Sequence, residues 1–117
     1  MVDQLQDLKE RLRQFAGERD WDQFHSPKNL AMALIVEAAE LVEHYQWMTE
    51  EESRSLPDDK KAEVEAELAD ILIYLVRIAD KLDIDLYSAA LEKLRHNSEK
   101  YPADQVRGLS KKYTEYP

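Results

Sequence analysis

The sequence predicts an all-α protein, a four-helix bundle, and three observations carry that prediction. Turn-forming residues are scarce: 117 residues hold two glycines and four prolines, and every proline stands where a helix would begin or end. Apolar residues recur three and four positions apart in long stretches, the spacing of one helix face. Four such stretches are joined by short connections, which is the pattern of a bundle.

The elements follow in order. Leu5, Leu8, Leu12 and Phe15 share one face, so residues 3 to about 17 read as an amphipathic helix ending near Gly17. Glu18 to Asn29 is a connecting segment with two aromatics and a histidine. Within it, Ser26-Pro27 supplies a cap followed by proline at the first helical position. The second helix runs to about Trp47. The polar stretch from Glu50 to Asp59, with Pro57, reads as a loop. A third and longer helix spans about Asp58 to Lys81. Asp83-Ile84-Asp85 offers a further cap, and a fourth helix covers about 85 to 98. Pro102 marks its exit, and Tyr101 to Pro117 reads as a tail of little periodicity.

Composition bounds the rest. The length suits one domain over residues 1–117, and 44% apolar residues suffice for a core. A net charge of -9 argues against gripping long nucleic acid by its phosphates, though not against a small anionic ligand held through metal and a few lysines. The absence of cysteine excludes disulfides and thiolate metal sites. No apolar run reaches the roughly 18–20 residues that span a bilayer. The charged start MVDQLQDLKERLRQF does not suit a secretory signal, so a cytoplasmic address is expected.

One segment asks for more cover than a single chain offers. Ile71 to Val76, then Ile78-Ala79, is apolar nearly all round a helix, which must then be buried on every side. Three short partner helices hardly achieve that, so self-association, at least as a dimer, is expected. The competing reading is a central helix buried within one chain.

Chemistry points to acids in unusual company. Twenty-five acidic residues guarantee several pairs spaced three apart by chance. Two pairs differ in context. Glu37 and Glu40 are the only charges in LAMALIVEAAELV, and Glu67 and Asp70 the only charges in AELADILIYLV. Buried carboxylates cost several kcal/mol each unless paired or bound to metal. Residues three apart share a helix face, so two facing helices would aim four carboxylates at one point. Arg77 is the only basic residue in the third helix's apolar run. A hard divalent cation such as magnesium or manganese answers the charge, and a second becomes attractive once substrate arrives. A solvated polar stripe is the bland alternative. A ferritin-like di-iron site would want Glu-x-x-His pairs, and neither His44 nor His96 has a glutamate three positions earlier.

The Glu-x-x-Glu pair followed on the next helix by Glu-x-x-Asp resembles the signature of the MazG-type all-α nucleoside triphosphate pyrophosphohydrolases. ERDWDQFHSPKNLAMALIVEAAELVEHYQW, EAELADILIYLVRIA, Asn97, Lys100-Tyr101-Pro102 and Lys112-Tyr113-Thr114 are similar, in order, to the dCTP pyrophosphatase branch. The resemblance spans Phe15 to Tyr116. Ala38 and Ala39 depart from that pattern, which bears on helix packing more than on metal binding.

What the resemblance implies is cleavage of a nucleoside triphosphate between its α- and β-phosphates. The substrate would be dCTP or a modified dCTP, in the service of nucleotide-pool house-cleaning. It implies a homotetramer, and Mg2+, with Mn2+ as a substitute, held by Glu37, Glu40, Glu67 and Asp70 as the catalytic acids. Trp21, His25, Trp47 and Tyr74 match the family's nucleobase pocket. Helical spacing puts Trp47 on the face of Glu40 and His44, and Tyr74 on the face of Asp70. Lys93 and Asn97, one turn apart, suit the sugar or phosphates. Lys100, Tyr101, Lys111, Lys112 and Tyr113 would close over the triphosphate. Glu43 is a candidate base, or a solvated neighbour. The rival reading of another class is a non-catalytic helical scaffold, or a nucleotide-binding protein, that keeps the fold.

Overall fold

A computed structural model describes residues 3 to 110, and regular structure among them is helical throughout. The long helices are α1 (Gln4–Glu18), α2 (Pro27–Tyr45), α4 (Asp58–Lys81) and α5 (Leu86–Lys100), with two four-residue helices, α3 (Glu50–Ser53) and α6 (Ala103–Val106). A 3-10 turn, Asp22–Phe24, stands between α1 and α2. The described residues group into two compact units, the first running up to Ile84 and the second starting at Asp85.

Caps explain most helix starts. Asp3 accepts from the Gln6 amide at 3.1 Å, and Ser26 from the Asn29 amide at 3.1 Å, with Pro27 at the first helical position as its fixed φ favours. Asp85 likewise accepts from the Ser88 amide at 3.0 Å. Pro57 leads into α4 without a side-chain cap, and Asp58 and Asp59 in the first turn suit the positive end of the helix dipole.

One boundary agrees with the sequence reading, and three points depart from it. α1 ends at Glu18, within a residue of the end expected near Gly17, and Asp20 beyond it takes the left-handed conformation at φ 54°, which a short polar side chain tolerates. The expected loop after α2 contains α3, because Thr49 and Glu52 form a reciprocal capping box with both bonds at 3.1 Å. α2 ends at Tyr45, so helical spacing carries as far as His44 and stops short of Trp47. The tail, too, holds a helical turn, α6, up to Val106.

In the first unit, α4 packs against α2 and α1. Ala16, Leu30, Val64, Val76 and Ala79 are its buried apolar side chains. Burying Leu30 contributes about 2 kcal/mol. Arg13 on α1 clasps Asp80 on α4 through two parallel bonds of 2.7 and 2.6 Å, the fork geometry that makes arginine–carboxylate pairs strong. Asp80 is accordingly held below the usual carboxylate range, by that hydrogen bond first. The apolar run of α4 is not covered on every side within the described residues. Leu68, Leu72 and Leu75 are exposed, as are Met32, Ile35, Val36 and Val42 on α2.

Candidate metal and nucleotide site

α2 and α4 face each other, and each carries one acidic pair on the face it turns to the other. Carboxylate oxygens of Glu37, Glu67 and Asp70 lie within 4.8 Å of one another, all three side chains half-buried. Glu40 stands beside this trio, close enough to Glu37 to oppose its ionisation. The Glu37 carboxyl is pushed up to about 7, by hydrogen bonding to Glu67 first, then burial, then Glu40 and Asp70. One Glu67 oxygen, Oε2, is buried without a hydrogen-bond partner. A surplus of negative charge and a buried oxygen without a partner make this cluster a candidate site for a hard cation. The donor set, all carboxylate oxygen, fits a divalent ion.

Arg77 does not relieve this charge. It is buried, and it pairs with Asp22 at 3.0 Å and Asp80 at 3.6 Å. A histidine that the sequence reading passed over as a site residue stands beside the acids. His44 sets Nε2 3.7 Å from Glu67, while its Nδ1 lies 3.5 Å from Glu63 and 3.5 Å from the Lys60 amine. Its spacing of four from Glu40 was the visible signal.

A cavity of about 380 Å³ adjoins the acids, with Asp70 in its wall. Trp21, His25 and Tyr74 line it, three of the four side chains expected around a nucleobase. Local structure explains their meeting. The Trp21 amide bonds back to the Ala16 carbonyl at 2.9 Å, folding the connection under α1. Trp21 then meets Phe15 edge to face at 5.7 Å and His25 at 6.5 Å. Asp22, in the 3-10 turn, is tied to α4 by Arg77 and by a short bond from Lys81, which together hold its carboxyl below the ordinary range, Lys81 first. Burial, then the charges of Glu37 and Asp70, push the Tyr74 phenol up, so its hydroxyl stays a donor.

The other sequence candidates stand elsewhere. Trp47 is 89% exposed beyond the end of α2 and is not in the cavity wall. Glu43 is exposed on α2. Lys93, Asn97 and Lys100 belong to α5 and Tyr101 caps it, with the Lys100 amine 5.8 Å from the Tyr101 ring centre. Lys111, Lys112 and Tyr113 lie outside the described residues. Conversely, Arg11, Leu12, Phe15, Ala16 and Ile73 complete the cavity wall. Leu12 and Phe15 were legible as one helix face and Ile73 as part of an apolar run, while Arg11 and Ala16 carried no signal.

Comparison with known proteins places the chain in a family. The MazG-like family model matches residues 32–116. Human dCTP pyrophosphatase 1 is 44% identical over 115 residues, covering 97% of this chain and 68% of the relative. The bovine protein of the same name is 43% identical over the same shares. A pyrophosphatase crystal structure from Archaeoglobus fulgidus superposes with a TM-score of 0.81 at 38% identity, covering 87% of this chain and 95% of that one. The chain belongs to the MazG-like family and is a hydrolase of the type its dCTP pyrophosphatase relatives represent.

Proposed function

We propose that this protein hydrolyses dCTP, or a deoxycytidine triphosphate modified on its base, to the monophosphate and pyrophosphate. The observation that carries the reading is the single cavity wall shared by Trp21, His25, Tyr74 and Asp70, which sets a place for a flat ring against the acidic cluster. Trp21 supplies a stacking face, and base–aromatic stacking contributes about 1–3 kcal/mol. Tyr74 and His25 supply polar edges. Relatives named dCTP pyrophosphatase 1 support cytosine as the base. Clearing such triphosphates is a house-cleaning task, and a cytoplasmic address belongs with it. No helix among the described residues is long and apolar enough to cross a membrane.

Glu37, Glu40, Glu67 and Asp70 would hold Mg2+, with Mn2+ able to replace it. Such an ion, when bound, neutralises phosphate oxygens and makes water a better nucleophile at neutral pH. The chain's own part is positioning. The acids fix where the triphosphate chain lies relative to the ring cavity, which Leu12, Phe15 and Ile73 line with apolar surface. Lys93, Asn97, Lys100 and Tyr101 remain the proposed sugar and phosphate contacts. Residues 1–117 act in this reading as one catalytic unit. The exposed leucines of α4 and the apolar face of α2 support assembly with further copies, as a dimer or tetramer.

The test is direct. With each pyrimidine triphosphate and magnesium, pyrophosphate is measured for the wild type, Glu37→Gln and Asp70→Asn. Release from dCTP by the wild type alone supports the reading. No release from any triphosphate overturns it in favour of a binding scaffold.

A further inference from the structure

His25 has two ring nitrogens, and the structure commits one of them. Nδ1 lies 3.2 Å from Nη2 of Arg77, which also reaches Asp22 Oδ1 at 3.0 Å. Nη2 carries two hydrogens, so it serves both partners. A guanidinium only donates and stays charged at any working pH. Nδ1 must therefore accept, and the neutral ring must carry its proton on Nε2. An imidazolium, or the other neutral tautomer, would set N–H against N–H. Arg77 cannot easily turn away, because it is 3% exposed and its other amine, Nη1, sits 3.6 Å from Asp80. Burial first, then Arg77 and Lys81, also lower the His25 pKa, against a smaller pull from Asp22.

We propose that Arg77 fixes His25 in the Nε2–H tautomer, so that His25 acts in the cavity as a hydrogen-bond donor to a carbonyl or ring-nitrogen acceptor of the base. The proposal rests on the cavity being the nucleobase site. Arg77 is a positioning residue here and touches no substrate. Nε2 has no protein partner among the described residues, and the ring lines the cavity. Cytosine offers two such acceptors, its carbonyl oxygen and the unprotonated ring nitrogen. Its exocyclic amine needs an acceptor, which His25 in this form does not provide. His25 thus orients the ring and leaves recognition of the amine to another group.

The tautomer is read without catalysis. The three histidines are labelled with 15N, and the imidazole nitrogens of the intact protein are recorded at neutral pH without metal or nucleotide. The His25 signals are identified by their loss in His25→Gln. The expected result is a bare Nδ1 and a protonated Nε2; a protonated Nδ1 overturns the proposal. In Arg77→Met the two tautomers should mix, and KM for dCTP should rise about tenfold with kcat little changed. His25→Phe should raise KM by the same factor, and His25→Gln, which keeps an amide donor, should recover most of it. An unchanged KM in His25→Phe overturns the recognition role. Failure of the wild type to cleave any triphosphate sinks the functional reading and leaves the tautomer result standing, so the two failures are distinct.

Discussion

Glu37 on α2 and Glu67 on α4 bring carboxylate oxygens within 4.8 Å of each other, and this approach is the chief reason that the Glu37 carboxyl rises to about 7. The folded protein therefore stores repulsion that a cation or a proton relieves.

A pH dependence follows for the metal-free protein. Between 4.5 and about 7, Glu37 binds a proton more readily in the folded state than in the unfolded one. Stability from this group is complete below 4.5 and is lost as pH rises through 7. Thermal melts without metal should show Tm falling across that window. Glu37→Gln should flatten the fall, and a divalent ion should raise Tm most on the alkaline side. A Tm that climbs from 4.5 to 7 in the wild type and is unaltered in the variant contradicts the cluster's electrostatics.

Losing one acid of the cluster should cost far more than losing a neighbour. Glu67→Gln and Asp70→Asn are expected to lower kcat for dCTP by about a hundredfold or more. Glu43, exposed on the same helix as Glu37, should tolerate Glu43→Gln with kcat within about twofold. A large loss in Glu43→Gln would make it the base.

Stacking gives a different signature. Trp21→Ala should raise KM about tenfold or more while kcat moves less, because the ring is held in ground and transition states alike. Steady-state kinetics separates this from a misplaced cluster, which would depress kcat.

Asp80 tests the joint between α1 and α4. Its two bonds from Arg13 and its nearness to Arg77 make Asp80→Asn lower Tm by roughly 5 °C or more. Because its folded pKa is depressed, the stabilisation exists above its ordinary value of 3.8 and disappears as pH falls through the folded value. The gap between wild type and variant should close in acid.

How much of this was legible in the sequence depends on what each feature rests upon. The four long helices follow from periodicity and caps, and Ser26-Pro27 marks the start of α2 to the residue. Glu67 and Asp70 stand out because carboxylates in an apolar run have no cheap alternative to a shared ion. α3 was legible in principle, since Thr49 and Glu52 have the spacing of a capping box, but a polar segment with a proline masks so short a helix. The Arg77–His25–Asp22 cluster was not legible. It joins residues more than fifty positions apart, and only packing of the 3-10 turn onto α4 brings them together. Trp47 shows the opposite limit: helical spacing was extended two residues beyond Tyr45, where α2 ends.

Self-association should be visible in solution. Sedimentation should give a mass above that of a single 117-residue chain, and Leu72→Glu should reduce it. A wild type that sediments as one chain at assay concentration contradicts the proposed assembly.

Manganese titration followed by electron paramagnetic resonance tests the central claim most directly, because it sees the ion without needing turnover. Wild-type protein should quench the signal of free Mn2+ with saturation, and Glu67→Gln should weaken binding at least about tenfold while keeping its helical circular dichroism. Equal affinity in the two proteins, or no binding in either, would contradict the assignment of the α2–α4 acids as the metal site.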